Sequence, residues 1–202
     1  MGVDTFLLQD DLETQNGWDL VDAPTGQVKY GDGTLEMSFD LVGSIWSDRE
    51  VQGRWNVLRV EGVIYLKDAA GAAGFMCGSG SLDHVGGVVN TKGDWFVVET
   101  VAGNTQQLQS GGLQTVNPQG VYHLAVECAG TATGALRWRM LVDGVPVPTF
   151  ERATGPVDFD RGVAFASIGS VDFNAGFDDV VIYGGSEFTG FPPSTLPSPP
   201  GS

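Results

Sequence analysis

The sequence predicts an all-β chain folded as two packed antiparallel sheets, a jelly-roll sandwich, and three observations carry that prediction. Apolar residues recur with a period of two along much of the chain, and no window carries the 3.6-residue period of an amphipathic helix. Thirty glycines are spread through the 202 residues, many of them grouped into turn-forming clusters between the alternating runs. Hydrophobic residues make up 42% and charged residues 17%, which supplies a sizeable core and excludes a disordered chain. The length fits one large β domain.

The elements follow from local pattern. From Val121 to Cys128, Tyr122, Leu124, Val126 and Cys128 alternate with His123, Ala125 and Glu127. Leu136, Trp138, Met140 and Val142 then alternate with Arg137, Arg139 and Leu141. Asp143-Gly144 is a dipeptide suited to a two-residue type I′ turn, so Val145 to Val147 is expected to return as a hairpin. Further strands are expected over Gln27–Tyr30, Thr34–Phe39, Asn56–Leu66, Ala72–Cys77, Trp95–Val101, Gly162–Ile168 and Phe177–Tyr183. Gly31-Asp32-Gly33, Gly78-Ser79-Gly80, Gly111-Gly112 and Asn117-Pro118 punctuate them. About ten short strands without helices need a facing sheet to bury their apolar sides, hence a sandwich. Leu124, Val126, Trp138 and Met140 are expected in the shared core, as are Trp18, Trp46 and Trp55.

The sandwich is expected to occupy residues 1–183, and residues 184–202 read as a separate arm rich in Gly, Ser and Pro. The arm closes on Phe191-Pro-Pro-Ser-Thr-Leu-Pro-Ser-Pro-Pro, whose prolines favour extended polyproline II and cannot join a sheet. Phe188, Phe191 and Leu196 are its large apolar groups, spaced as anchors for grooves on a neighbouring subunit or another assembly protein. A plain linker is the alternative.

Net charge is −15, from 25 acidic against 10 basic residues. Such a surface repels phosphate backbones and anionic lipid, so neither nucleic acid nor membrane is an expected partner. No run of about 18 apolar residues exists to span a bilayer. Met1 to Asp11 lacks the basic region and the longer apolar stretch of a secretory signal. Either a signal has been removed, or the protein reaches its site without secretion, as virion proteins released by lysis do.

Asp10-Asp11-Leu12-Glu13 with Gly17-Trp18 resembles the opening of bacterial concanavalin A-like lectin/glucanase domains, a laminin G-like jelly-roll family. The resemblance continues through Ala73-Gly74-Phe75-Met76-Cys77, Leu124-Ala-Val-Glu-Cys128, Val142-Asp143-Gly144 and Phe177-Asp178-Asp179-Val180, in the family's order. It implies two antiparallel sheets, one concave, often used to bind glycans. Lectins, glycosidases and structural modules share the fold, so function must come from the site. The glucanase branch carries its carboxylates on one strand as Glu-x-Asp-x-x-Glu, and none of the eight glutamates here has that spacing. Glu36, Glu61, Glu99 and Glu127 read instead as separate, solvated strand residues. Cys77 and Cys128 end two apolar runs at corresponding places in the family pattern. A buried disulfide between adjacent strands and a pair of buried free thiols both fit.

No Gly-x-Ser-x-Gly elbow, phosphate loop or paired-histidine zinc motif occurs, and His84 and His123 read as surface or hydrogen-bonded histidines. Asp172, Asn174, Asp178 and Asp179 alternate with apolar residues as a loose echo of a calcium loop, with Asp10 or Asp11 as further ligands. The closing glutamate of an EF-hand is missing, and a plain strand with Phe173, Ala175 and Phe177 inward fits equally. No cofactor is required; calcium would be structural.

One cluster emerges from phase alone. Arg59 and Glu61, His123 and Glu127, and Arg137 and Arg139 all fall on the non-core phase of their strands. If these strands are neighbours, the charges line one sheet face, as a salt-bridge ladder or as a glycan site with Tyr65 or Trp95 for stacking. The expectation is a non-catalytic lectin-like module of a virion, on a phage tail or capsid surface, serving assembly or attachment to host glycans. Its partners would be carbohydrate or other virion subunits, in a homo-oligomer or larger assembly. A secreted bacterial carbohydrate-binding module, and a glycoside hydrolase with displaced carboxylates, are the alternatives.

Overall fold

The computed structural model describes residues 5–12, 17–23, 25–31, 33–67, 71–80, 82–130, 134–148, 150–153, 158–168 and 173–186. The strands are β1 (Thr5–Asp10), β2 (Asp22–Ala23), β3 (Gly26–Gly31), β4 (Thr34–Phe39), β5 (Gly43–Trp55), β6 (Val57–Leu66), β7 (Gly71–Gly78) and β8 (His84–Asn90). They continue as β9 (Asp94–Val101), β10 (Asn104–Gly112), β11 (Val121–Gly130), β12 (Leu136–Val142), β13 (Val145–Pro146), β14 (Phe150–Arg152), β15 (Phe159–Ile168) and β16 (Asn174–Gly185). Among the described residues there is no helix.

The strands form two antiparallel sheets. The larger runs β13-β12-β11-β6-β16-β4-β3-β2, with β1 also on β16 and β14 also on β12. The smaller runs β10-β9-β8-β7-β15-β5. The expected jelly-roll sandwich is therefore the fold of this chain. Leu124, Val126, Trp138 and Met140 are all buried between the sheets, at no more than 1% exposure. They meet Ala73, Phe75, Val85, Val89 and Val97 of the smaller sheet, and Phe75 meets Phe177 edge to face at 5.6 Å. The hairpin forms as expected: Asp143 and Gly144 take φ of 50° and 77°, the left-handed pair a type I′ turn requires.

Strands β1, β2, β5, β8, β10 and β14 were not apparent from alternation. In β8 the pair Gly86-Gly87 interrupts the apolar phase for steric reasons. A Cβ on Gly87 would lie 2.6 Å from the Trp138 ring, and one on Gly86 would lie 2.2 Å from the Phe75 carbonyl oxygen. Strand β16 runs on to Gly185, two residues beyond Tyr183.

The cysteines are bridged, but not between adjacent strands of one sheet. Cys77 is on β7 of the smaller sheet and Cys128 on β11 of the larger, so the disulfide crosses the core with its Cα atoms 6.2 Å apart. Both runs place their apolar phase inward, and inward-pointing residues of facing sheets meet across the core. With a sequence separation of 51, loop closure in the unfolded chain accounts for about 4 kcal/mol of stabilisation.

Three glutamates expected in solvent are buried: Glu61, Glu99 and Glu127 are 1–4% exposed. Each is matched to an arginine, and Glu99 receives both terminal nitrogens of Arg152. The Arg152 hydrogen bonds hold the Glu99 carboxyl below its ordinary range. Glu36 remains half-buried between Lys29 and Lys67. Trp18 joins the core as expected, whereas Trp55 only packs against its margin. Trp46 lies outside the inter-sheet core.

Candidate functional site

The charges expected to line one sheet face if their strands were neighbours do gather, on the larger sheet. Strands β12, β11 and β6 are consecutive neighbours, and the register places Arg139, Glu127 and Arg59 directly across from one another. Tyr183 of β16 follows opposite Arg59. Arg139 donates to Glu127 at 2.7 Å, Arg59 pairs with Glu61, and the Arg59 guanidinium lies 5.6 Å from the centre of the Tyr183 ring. Arg137, exposed at the edge, meets Glu151 at 3.4 Å. His123 flanks the group, and burial pushes its pKa down.

The ladder uses its charges on itself. Arg59, Glu61, His123, Leu141 and Gly144 line a cavity of about 20 Å³, room for roughly one water and no sugar ring. Tyr65 stands beside this group, its hydroxyl 3.5 Å from Asp178. Trp95 belongs to neither: it points into the core from β9, covered by Gly111, where a Cβ would lie 2.5 Å from the indole. Trp95 was expected as a stacking residue of the charged face, and its inward phase on a strand of the other sheet rules that out.

The oxygen ligands considered for calcium are spread along β16. Asn174 and Asp178 are four residues apart in extended chain, about 13 Å, so they do not converge on one ion. Asp178 and Asp179 sit at a bulge, where the Asp179 N–H donates to the Asp178 carboxylate at 2.8 Å. Burial raises the Asp178 pKa. Asp10 receives the Leu12 N–H and the Trp18 indole N–H, a structural use. Asp172 lies outside the described residues, as do Phe188, Phe191 and Leu196. Among the described residues, no three His, Cys, Asp or Glu side chains gather to hold a metal.

A different face assembles on the smaller sheet. Ala72, Met76, Val88, Val98, Val163 and Phe165 form a second apolar cluster, with Trp46 and Phe96 packed against it. Each alternates with a core residue of its own strand, so the cluster lies on the side away from the larger sheet. The register arranges this side in rows across the strands. One row runs Trp46, Phe165, Gly74, Val88, Phe96. The next runs Asp48, Val163, Met76, Gly86, Val98, and the third runs Glu50, Arg161, Gly78, His84, Thr100.

The face is concave. Trp46 on β5 and His84 on β8 are three strands and two rows apart, about 20 Å on the diagonal of a flat sheet. Their rings are nevertheless 5.7 Å apart and near perpendicular. Side chains can close that distance only where the sheet curls toward them. Gly78 makes room beneath, since a Cβ there would lie 2.9 Å from the His84 ring and 3.1 Å from Arg161.

The polar groups of this hollow are electrically tuned. His84 is buried, and desolvation lowers its pKa to about 4, so the ring is neutral at physiological pH. Asp48 is raised to about 6, first by burial and then by its hydrogen bond with Asp19, against the pull of Arg161. Arg161 donates to Asp48 at 2.9 Å and lies near Glu50 and Asp160. Trp46, half-buried, offers aromatic surface beside them. Sequence reading missed this site because β5 and β8 had not been recognised as strands. The alternation of Trp46, Asp48 and Glu50 was the available signal.

No protein-family model matches this sequence, and no curated protein matches it. Solved structures do match in fold. A carbohydrate-binding module, CBM66 from Bacillus subtilis, has 14% identity and a TM-score of 0.59, covering 82% of this chain and 94% of the module. A Bacillus licheniformis β-glucanase has 11% identity and a TM-score of 0.59, covering 88% and 97%. The CBM2 module of the evolved Dit of Lactobacillus casei BL23 phage J-1 has 12% identity and a TM-score of 0.58, covering 93% and 99%. At these identities the likeness establishes the concanavalin A-like jelly-roll fold, which modules that bind and enzymes that cleave both use.

Proposed function

We propose that this chain is a non-catalytic carbohydrate-binding module whose ligand lies in the concave face of the smaller sheet. The observation that carries this reading is the half-buried Trp46 ring reaching over the hollow beside His84, Arg161 and Asp48. An indole face stacks on the apolar side of a sugar ring, while guanidinium and carboxylate groups serve its hydroxyls. The fold likeness to CBM66 and to the phage Dit module supports the same reading.

The non-catalytic part rests on where the carboxylates sit. Hydrolysis needs two of them across the scissile bond. On this face each carboxylate is already engaged: Asp48 is buried against Arg161, Glu50 lies 3.8 Å from the same guanidinium, and Asp94 is bonded to Asn90. In the middle of this face stand His84, Gly86 and Val88, all buried and none of them a carboxylate.

The setting we propose is a phage virion, where such a module serves attachment to host-surface glycans or assembly. The fold likeness to a phage Dit module and the Pro-rich terminal segment of the sequence support it. The test is retardation of the protein in gels containing polysaccharide. Trp46→Ala is expected to lose at least tenfold in affinity while remaining folded, its thermal midpoint lowered by the packing lost against the outer apolar cluster. Equal retardation of both proteins would refute the site. Turnover of a bound polymer, abolished by Asp48→Asn, would refute the non-catalytic reading. Deleting residues 186–202 tests the setting: unimpaired assembly without them would remove the arm from the argument.

A further inference from the structure

We propose that the concave face selects uncharged glycans and excludes chains bearing carboxylates; this rests on the carbohydrate reading above. Arg161 is the group on this face that an acidic sugar would seek. It is already engaged by Asp48 at 2.9 Å, with Asp160 at 3.6 Å and Glu50 at 3.8 Å. Three carboxylates around one guanidinium leave the locality negative, and Arg54 cannot compensate because it is turned to Asp158 and Asp160. The Glu50 side chain is 72% exposed, directly across from Arg161, so negative charge stands at the rim where a ligand enters. At the far margin Asp94 adds another.

An incoming uronate or sialate would therefore meet like charge at both rims and find the guanidinium occupied. It could bind only by displacing a resident carboxylate into repulsion with itself. The overall charge of −15 adds a long-range barrier of the same sign. Sugar hydroxyls fit the same groups without cost. They donate to the exposed carboxylate of Glu50 and accept from the solvent-facing part of Arg161, and the Trp46 ring takes the apolar face, while the buried Asp48 holds the guanidinium in place.

The experiment is affinity electrophoresis with laminarin, lichenan, levan and mannan as uncharged polymers, and with alginate and polygalacturonate as anionic ones. Each is run at 50 and 300 mM salt. Retardation by at least one uncharged polymer, little changed by salt, with neither anionic polymer retarding the protein, is the expected result. Glu50→Lys is then expected to gain alginate retardation several-fold at 50 mM salt and to lose it at 300 mM. Alginate or polygalacturonate binding the native protein as tightly as any uncharged polymer would overturn the selection while sparing the carbohydrate reading. No gain in Glu50→Lys would overturn its electrostatic cause. Failure of every polymer to bind would overturn both.

Discussion

Replacing Asp48 with Asn should expose a dependence of stability on pH that the native protein conceals. The Asp48 carboxyl is raised from 3.8 to about 6 in the fold. Between those values the folded protein keeps a proton that the unfolded chain has lost, so this group lowers stability as pH rises from about 4 to 6. His84 is lowered from 6.5 to about 4. Between those values the unfolded chain binds a proton that the folded protein refuses, so this group raises stability as pH rises through nearly the same window. The two slopes oppose each other in the native protein. Asp48→Asn removes the Asp48 slope, and the rise of that pKa corresponds to on the order of 3 kcal/mol between pH 4 and 7. Urea unfolding of the native protein and the variant at pH 4, 5, 6 and 7 measures it, because all other titrations cancel in the difference. The variant should gain on the native protein steadily as pH rises. His84→Asn should show the reverse, losing stability relative to native over the same range. A difference between Asp48→Asn and native that is flat with pH, or that falls, would refute the assignment of these groups to a desolvated hollow.

The remaining predictions separate the two sheets. Glu61→Ala removes the carboxylate paired with the buried Arg59 and should cost about 3 kcal/mol or more in denaturant unfolding, without loss of polysaccharide retardation. Arg137→Ala, at an exposed pair, should stay within about 0.5 kcal/mol of native. Reducing the Cys77–Cys128 bridge, or replacing both residues with Ala, should lower stability by about 4 kcal/mol, the chain-entropy value for this loop. An unchanged unfolding midpoint after verified reduction would contradict that origin of the stabilisation.

What could be read in the sequence was local. The alternation from Tyr122 to Cys128 and from Leu136 to Val142 reports directly which side chains share a face, because successive residues of a strand point to opposite sides. Asp143-Gly144 specified its turn because few dipeptides tolerate two left-handed residues in succession. The same periodicity correctly placed Arg59, Glu61, Glu127 and Arg139 on a shared face, since their strands pair as neighbours. Strand pairing is nonlocal, and there the reading stopped. Nothing in the runs ending at Cys77 and Cys128 says whether they adjoin or face each other, and only the stacking of the sheets made the disulfide a cross-core bridge. The glycines of β8 looked like a break in pattern because the bulk they avoid belongs to Trp138 and the Phe75 backbone, distant in sequence. The meeting of Trp46 with His84 depends on the order β5-β15-β7-β8 and on the curl of that sheet. Strand order and curvature arise from the packing of all strands together, so the hollow where these residues converge was decided by the tertiary structure alone.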